Sequence, residues 1–176
     1  MDSPRPQHDP LAAAAAAPCA STPPNRLNLL LSYAGWSPDS WADRLPLLLE
    51  PLGVRALRAC SGRQASQVIA QSPVHIAVVD LGLPLDDQPG GGGQTAEEGG
   101  PRLLELLARL TQPPPVVVVK TSRTRRDESR EIAAALRLGA FAVVDRPRDA
   151  ADLELMLEVL RRCLCRFYQG RWPNMG

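Results

Sequence analysis

Apolar residues in this chain fall into two alternating patterns, short compact segments and longer stretches where they recur every three or four positions. The compact segments are Leu27 to Leu31, Val54 to Ala59, Val74 to Val79, Val116 to Val119 and Ala142 to Val144. They read as strands. The four consecutive valines, apolar at every position, fit a strand covered on both faces, as in a parallel sheet. Between the strands lie helical spacings. Trp41, Leu45, Leu48, Leu49 and Leu52 predict a helix ended by Gly53, with Pro46 either in its first turn or at a kink. Ser61 and Gln64 form a capping box that opens a helix burying Val68 and Ile69. Pro101 suits the first position of a helix whose stripe is Leu103, Leu104, Leu107 and Leu110. A fourth helix starts near Asp127 or Ser129, buries Ile132, Ala133 and Leu136, and stops at Gly139. Asp149 caps a fifth, where Leu153, Met156, Leu157, Leu160 and Leu164 recur at helical intervals.

Five strand-helix alternations predict an α/β fold, a doubly wound five-stranded parallel sheet of order 2-1-3-4-5 with helices on both faces. In such a fold the functional crevice lies at the carboxyl ends of the strands, where the strand order reverses. The residues there are Ser32 and Tyr33, Asp80, Lys120, and Asp145 with Arg146; a slip of one residue brings Thr121 to the end of the fourth strand. The domain is expected from residue 26 to 166. Residues 1–25, rich in proline and alanine, read as a disordered tail. Residues 85–100, with the Gly90 to Gly93 run, read as a long loop insertion, and 167–176 as a C-terminal tail carrying Phe167, Tyr168 and Trp172.

Composition narrows the chemistry. Among 176 residues, 20 basic and 19 acidic side chains nearly cancel, so no global charge favours nucleic acid or an anionic membrane. The arginines from Arg123 to Arg130 are interleaved with Asp127 and Glu128 and read as a solvated loop. Cys19, Cys60, Cys163 and Cys165 form no C-x-x-C pair, and His8 and His75 lie far apart, which argues against a zinc site. Sparse cysteines suit a reducing compartment, and with no apolar run long enough to span a bilayer the expectation is a cytoplasmic protein. Cys163 and Cys165 read as small helical side chains. The glycine run lacks the lysine and hydroxyl of a phosphate loop, and no dinucleotide fingerprint follows the first strand. No serine-histidine-acid constellation is apparent, and no catalytic residue is expected.

Three motifs carry a resemblance. Asp80-Leu81-Gly82-Leu83-Pro84 resembles the signature of response-regulator receiver domains, where the phosphorylated aspartate precedes a proline by four places. Pro115 and its four valines resemble the fourth receiver strand. Gly139-Ala140 through Arg146-Pro147 resembles the fifth, which ends in Lys-Pro. The resemblance spans Leu27 to about Leu164 and implies the flavodoxin-like, three-layer receiver fold, with Asp80 at the phosphoacceptor position. The departures also matter. Receivers hold magnesium with two acidic residues at the end of the first strand, where this chain has Ser32 and Tyr33, neither a hard anionic ligand. Lys120 replaces the hydroxyl residue of the fourth strand, and Arg146 replaces the lysine of the fifth. Asp39, Asp43, Asp86 and Asp87 are the carboxylates that could substitute as metal ligands.

A carboxylate attacking a phosphoryl group needs a cation to neutralise the gathering charge. Without the acidic pair, magnesium would rest weakly on Asp80, and the expectation is no resident cofactor. Lys120 and Arg146 would then flank Asp80 as fixed counter-ions. The chain is read as a stand-alone, divergent receiver-like domain, not an enzyme, acting through another signalling protein such as a histidine kinase or downstream effector, with a homodimer as a further expectation. Neither nucleic acid nor membrane is expected as a partner. Two other readings stay open: phosphotransfer through Asp80 with an atypical metal site, and binding of a small anionic ligand in the crevice.

Overall fold

A computed structural model describes residues 27–35, 40–86, 99–121 and 124–169. The expected N-terminal tail, most of the glycine-rich loop, Asp39, Asp87 and Trp172 lie outside them. Eleven elements alternate as expected: β1 (Leu27–Ser32), α1 (Trp41–Leu49) closed by a 3-10 turn (Glu50–Leu52), β2 (Val54–Ala59), α2 (Gly62–Gln71), β3 (Ile76–Asp80), α3 (Gly99–Ala108), β4 (Val116–Val119), α4 (Arg125–Arg137), β5 (Ala142–Val144) and α5 (Ala150–Phe167). The sheet is all parallel with order β2-β1-β3-β4-β5.

The strand alternation divides the core in two. Leu29, Leu31, Ile76, Val78, Val117 and Val119 face α1 and α5, where Leu45, Leu49, Met156, Leu160 and Leu164 meet them. Leu30, Ala77, Val79, Val116 and Val118 face the other way, toward Ala65, Leu103, Leu104, Leu107 and Ala135 of α2, α3 and α4. The four valines therefore serve both layers, which is why no polar residue interrupts them.

Local signals explain several element ends. Ser61 accepts a hydrogen bond from the Gln64 amide at 3.2 Å, while Gln64 Oε1 accepts from Cys60, one residue earlier than a standard box. Asp149 caps α5 through the Asp152 amide. Gly53 ends the turn after α1 with φ +76°, in the left-handed region that favours glycine.

The structure corrects several expectations. Pro46 sits in the middle of α1, and the helix gives way to the 3-10 turn four residues later, at Glu50. Leu48 lies at the margin of the apolar stripe and is exposed. Thr124, not Asp127 or Ser129, caps α4. The inward residue of α4 is Ala135, supported by Leu138, whereas Ala133 and Leu136 face outward. Gly99 and Gly100, expected at the end of the long loop, are buried in the first turn of α3. A Cβ on Gly100 would stand 2.5 Å from the Asp80 carbonyl oxygen, and one on Gly99 would stand 2.3 Å from that of Pro84. These glycines let the helix start press against the chain leaving β3. Cys163 is buried in the core, its thiol pushed up to about 12 by burial, while Cys165 is exposed. At that value Cys163 is not a thiolate.

Candidate functional site

The sequence brings one acidic group into the core at the crevice. Asp80 ends β3 and is fully buried. Burying a charge is costly unless it is paired and hydrogen-bonded, and the surrounding chain supplies both. The amide of Gly82 donates to Asp80 Oδ1 at 3.0 Å, and that of Ala34, just beyond β1, donates to Oδ2 at 3.4 Å. The Asp-Leu-Gly turn is what aims the Gly82 amide back at the carboxylate.

The third partner is a cation. Arg146 follows β5, and its Nη2 donates to Asp80 Oδ2 at 2.7 Å. Its guanidinium also lies 5.1 Å from the centroid of the Tyr33 ring, which packs edge-on against Trp41 at 4.9 Å. Tyr33 thus forms an aromatic shelf that holds Arg146 over the carboxylate. Pro147, the next residue, is buried. Burial holds the Asp80 carboxyl above the ordinary aspartate value, against the opposing pull of Arg146 and the two amides. The Arg146 side chain remains 40% exposed, so the pair is enclosed on the aspartate side and open to water on the arginine side.

Two expected crevice residues, Ser32 and Lys120, are engaged elsewhere. Ser32 is buried within the sheet, its hydroxyl donating to the Val78 carbonyl at 2.9 Å. Lys120 is not a counter-ion to Asp80. Its amide donates to the Val144 carbonyl, and its ammonium binds Glu128 of α4 and, at 3.1 Å, Asp145 beyond β5. Strand alternation explains this: Lys120 continues the parity of Val116 and Val118, which face α4, while Asp80 shares the parity of Val78 on the opposite face. Thr121 does adjoin the site, its methyl group beside the Gly82 backbone, and its amide donates to Glu131 Oε2 at 3.3 Å.

The substitute metal ligands are otherwise engaged. Asp43 binds Arg58 at 2.7 Å and Asp86 binds Arg63 at 2.8 Å. Among the described residues no group of three histidine, cysteine or acidic side chains gathers at one point. The sequence points to Asp80, Arg146 and Tyr33 at the crevice, but not to the stacking of Arg146 on Tyr33, the Ala34 amide or the two α4 glutamates. Only the Gly82 contact had a local signal, the D-x-G turn.

No family model matches the chain, and no curated protein matches it by sequence. Solved structures do match. A signal receiver domain of an HD domain-containing protein from Pseudomonas fluorescens shares 22% identity, with 81% of this chain and 98% of that one covered and a TM-score of 0.57. A two-component response regulator from Clostridium difficile shares 17%, covering 82% and 100%, at a TM-score of 0.61. The Mn(2+)-bound form of the response regulator Rcp1 shares 20%, covering 83% and 99%, at 0.54. The fold is the response-regulator receiver fold.

Proposed function

We propose that this receiver-fold chain is a signalling module that works by binding another protein, with Asp80 held by Arg146 and not switched by magnesium-dependent phosphorylation. The observation that carries this reading is the 2.7 Å contact between Arg146 Nη2 and Asp80 Oδ2, together with the two backbone amides. Magnesium prefers several oxygen ligands in near-octahedral geometry. Among the described residues the Asp80 carboxylate is the one placed at the crevice floor, one of its oxygens is taken by a guanidinium, and the neighbouring hydroxyl of Ser32 donates into the sheet. These donors do not fit the metal. A phosphoryl donor would also meet an enclosed carboxylate, and among the described residues no cluster of three metal-binding side chains stands ready to hold a neutralising cation.

In this reading the chain has no catalytic activity of its own and acts in the cytoplasm. Its partner is a histidine kinase or a downstream effector, or a second copy of itself. No helix among the described residues is long and apolar enough to cross a membrane.

The test is direct. Incubation with acetyl phosphate and millimolar magnesium should leave no acyl phosphate, and beryllofluoride with magnesium should leave the NMR spectrum unchanged. Stoichiometric labelling that vanishes in Asp80→Asn overturns the proposal in favour of phosphotransfer with an atypical metal site.

A further inference from the structure

At the pole opposite Asp80, where the parallel strands begin, one side chain takes the place of a backbone acceptor. His75 immediately precedes β3, and its own amide donates to the Asn28 carbonyl at 2.9 Å. In return, the Asn28 amide donates to the imidazole Nδ1 at 2.9 Å. Asn28 is held a third time, because its Nδ2 donates to the Pro73 carbonyl at 2.9 Å. The end of α5 joins the same point: the Tyr168 hydroxyl donates to the His75 carbonyl at 2.6 Å, and the two rings meet edge to face at 5.9 Å.

We propose that His75 is a pH-sensitive latch that joins the start of β1 to the end of α5. Only a neutral imidazole offers a lone pair at Nδ1, since both ring nitrogens of the protonated form carry hydrogen. Protonation therefore removes the acceptor of the Asn28 amide and sets an N–H against an N–H. Histidine is the side chain whose charge ordinarily changes between about pH 5 and 8. Among the groups that contact it are the Asn28 amide from β1 and the Tyr168 phenol from the end of α5, while the Pro73 carbonyl binds Asn28 beside it. Of these the phenol alone titrates, ordinarily near about 10, well above the working range. Acidification thus acts on the imidazole. The response is a local opening: Asn28 detaches from the segment before β3, while Leu27 stays bound to the Gly53 carbonyl before β2, and Tyr168 loses a rigid carbonyl to bind.

Amide hydrogen exchange of the intact chain, corrected for the intrinsic pH dependence of exchange, tests the latch. Protection of the Asn28 amide should fall about tenfold between pH 7.5 and 5, the scale of one lost hydrogen bond, while Leu30 and Val78 in the sheet centre stay protected. His75→Asn is the informative variant, because its Oδ1 can occupy the Nδ1 position and does not titrate. It should keep Asn28 protected at both pH values. His75→Phe retains the ring without an acceptor and should leave Asn28 unprotected at both. A wild-type protection factor that does not change with pH, or an equal loss in wild type and His75→Asn, overturns the proposal. Neither result bears on whether Asp80 is phosphorylated.

Discussion

The contact between Asp80 and Arg146 is unequal. The carboxylate is fully buried, while the arginine side chain keeps two fifths of its surface in water. Removing the arginine leaves a buried charge uncompensated, whereas removing the carboxylate leaves a cation that water can serve. Arg146→Ala should therefore cost about 3 kcal/mol in chemical denaturation, near the lower figure for breaking a buried pair. Asp80→Asn should cost little, and it should reveal the sign of the aspartate's titration. Because burial raises the Asp80 pKa above the ordinary aspartate value of 3.8, the folded state binds a proton more readily than the unfolded state does. Asp80 therefore favours folding fully below its unfolded value and loses that contribution as pH rises through the folded one. Wild type should gain stability relative to Asp80→Asn as the pH is lowered toward 3.8, and a difference that is flat with pH would contradict this. Denaturation cycles should show clear coupling between Asp80 and Arg146 and none between Asp80 and Lys120. Asp80 and Arg146 were legible in the chain because each closes a strand within a recognisable motif. Lys120 was misassigned because its strand end was known but its face was not, and one residue of parity sends a side chain to the opposite layer.

The elements show where apolar spacing suffices and where it misleads. Strands β1, β2 and β4, and the stripes of α3 and α5, could be read directly, because each is apolar on a defined face and closed by a cap, a glycine or prolines. Helix α4 could not. Its run Ile132 to Leu136 is apolar at consecutive positions, so composition alone does not choose a side. The face that packs inward is Glu128, Glu131, Ala135 and Leu138, spaced three, four and three, and its first half is acidic. Those two glutamates look like solvent-facing charges, yet they reach the end of β4, one binding the Lys120 ammonium and the other the Thr121 amide. Binding to Glu128 and Asp145 raises the Lys120 pKa above 10.5, so its contribution is complete below that value and lost as pH rises through the folded one. Lys120→Met should cost about 0.5–1 kcal/mol at neutral pH, a loss that disappears in strong alkali. The start of α3 is less forgiving. Gly100→Ala forces a methyl against the Asp80 and Leu81 backbone and should cost about 1–3 kcal/mol, with the Gly82 amide shifted in the NMR spectrum. Shortening of the 85–100 loop must spare Leu85, whose carbonyl accepts the Arg63 amide at the start of α2, as well as Gly99 and Gly100.

Across the whole molecule the two layers over the sheet are unequally secured. On one face α5 buries six side chains and α1 four, while on the other α4 contributes, among its described side chains, only Ala135 to the buried set. Local opening follows the apolar area that holds an element down, so α4 should exchange its amides before α5 does under native conditions. Equal protection in the two helices would show that the glutamate contacts hold α4 as firmly as a full stripe would. The inner architecture was foreseeable because alternation of strand and helix dictates a parallel sheet; the uneven grip of its helices was not, because it depends on which face each helix turns inward. The point where Asn28 and Tyr168 both bind His75 has a further consequence for engineering. The first strand begins and the last helix finishes beside the same residue, so the entry and exit of the folded unit stand close together in space. A unit with adjoining ends can be spliced into a surface loop of a host protein without stretching its sheet, and its own ends can be linked by a short bridge in a circular permutant.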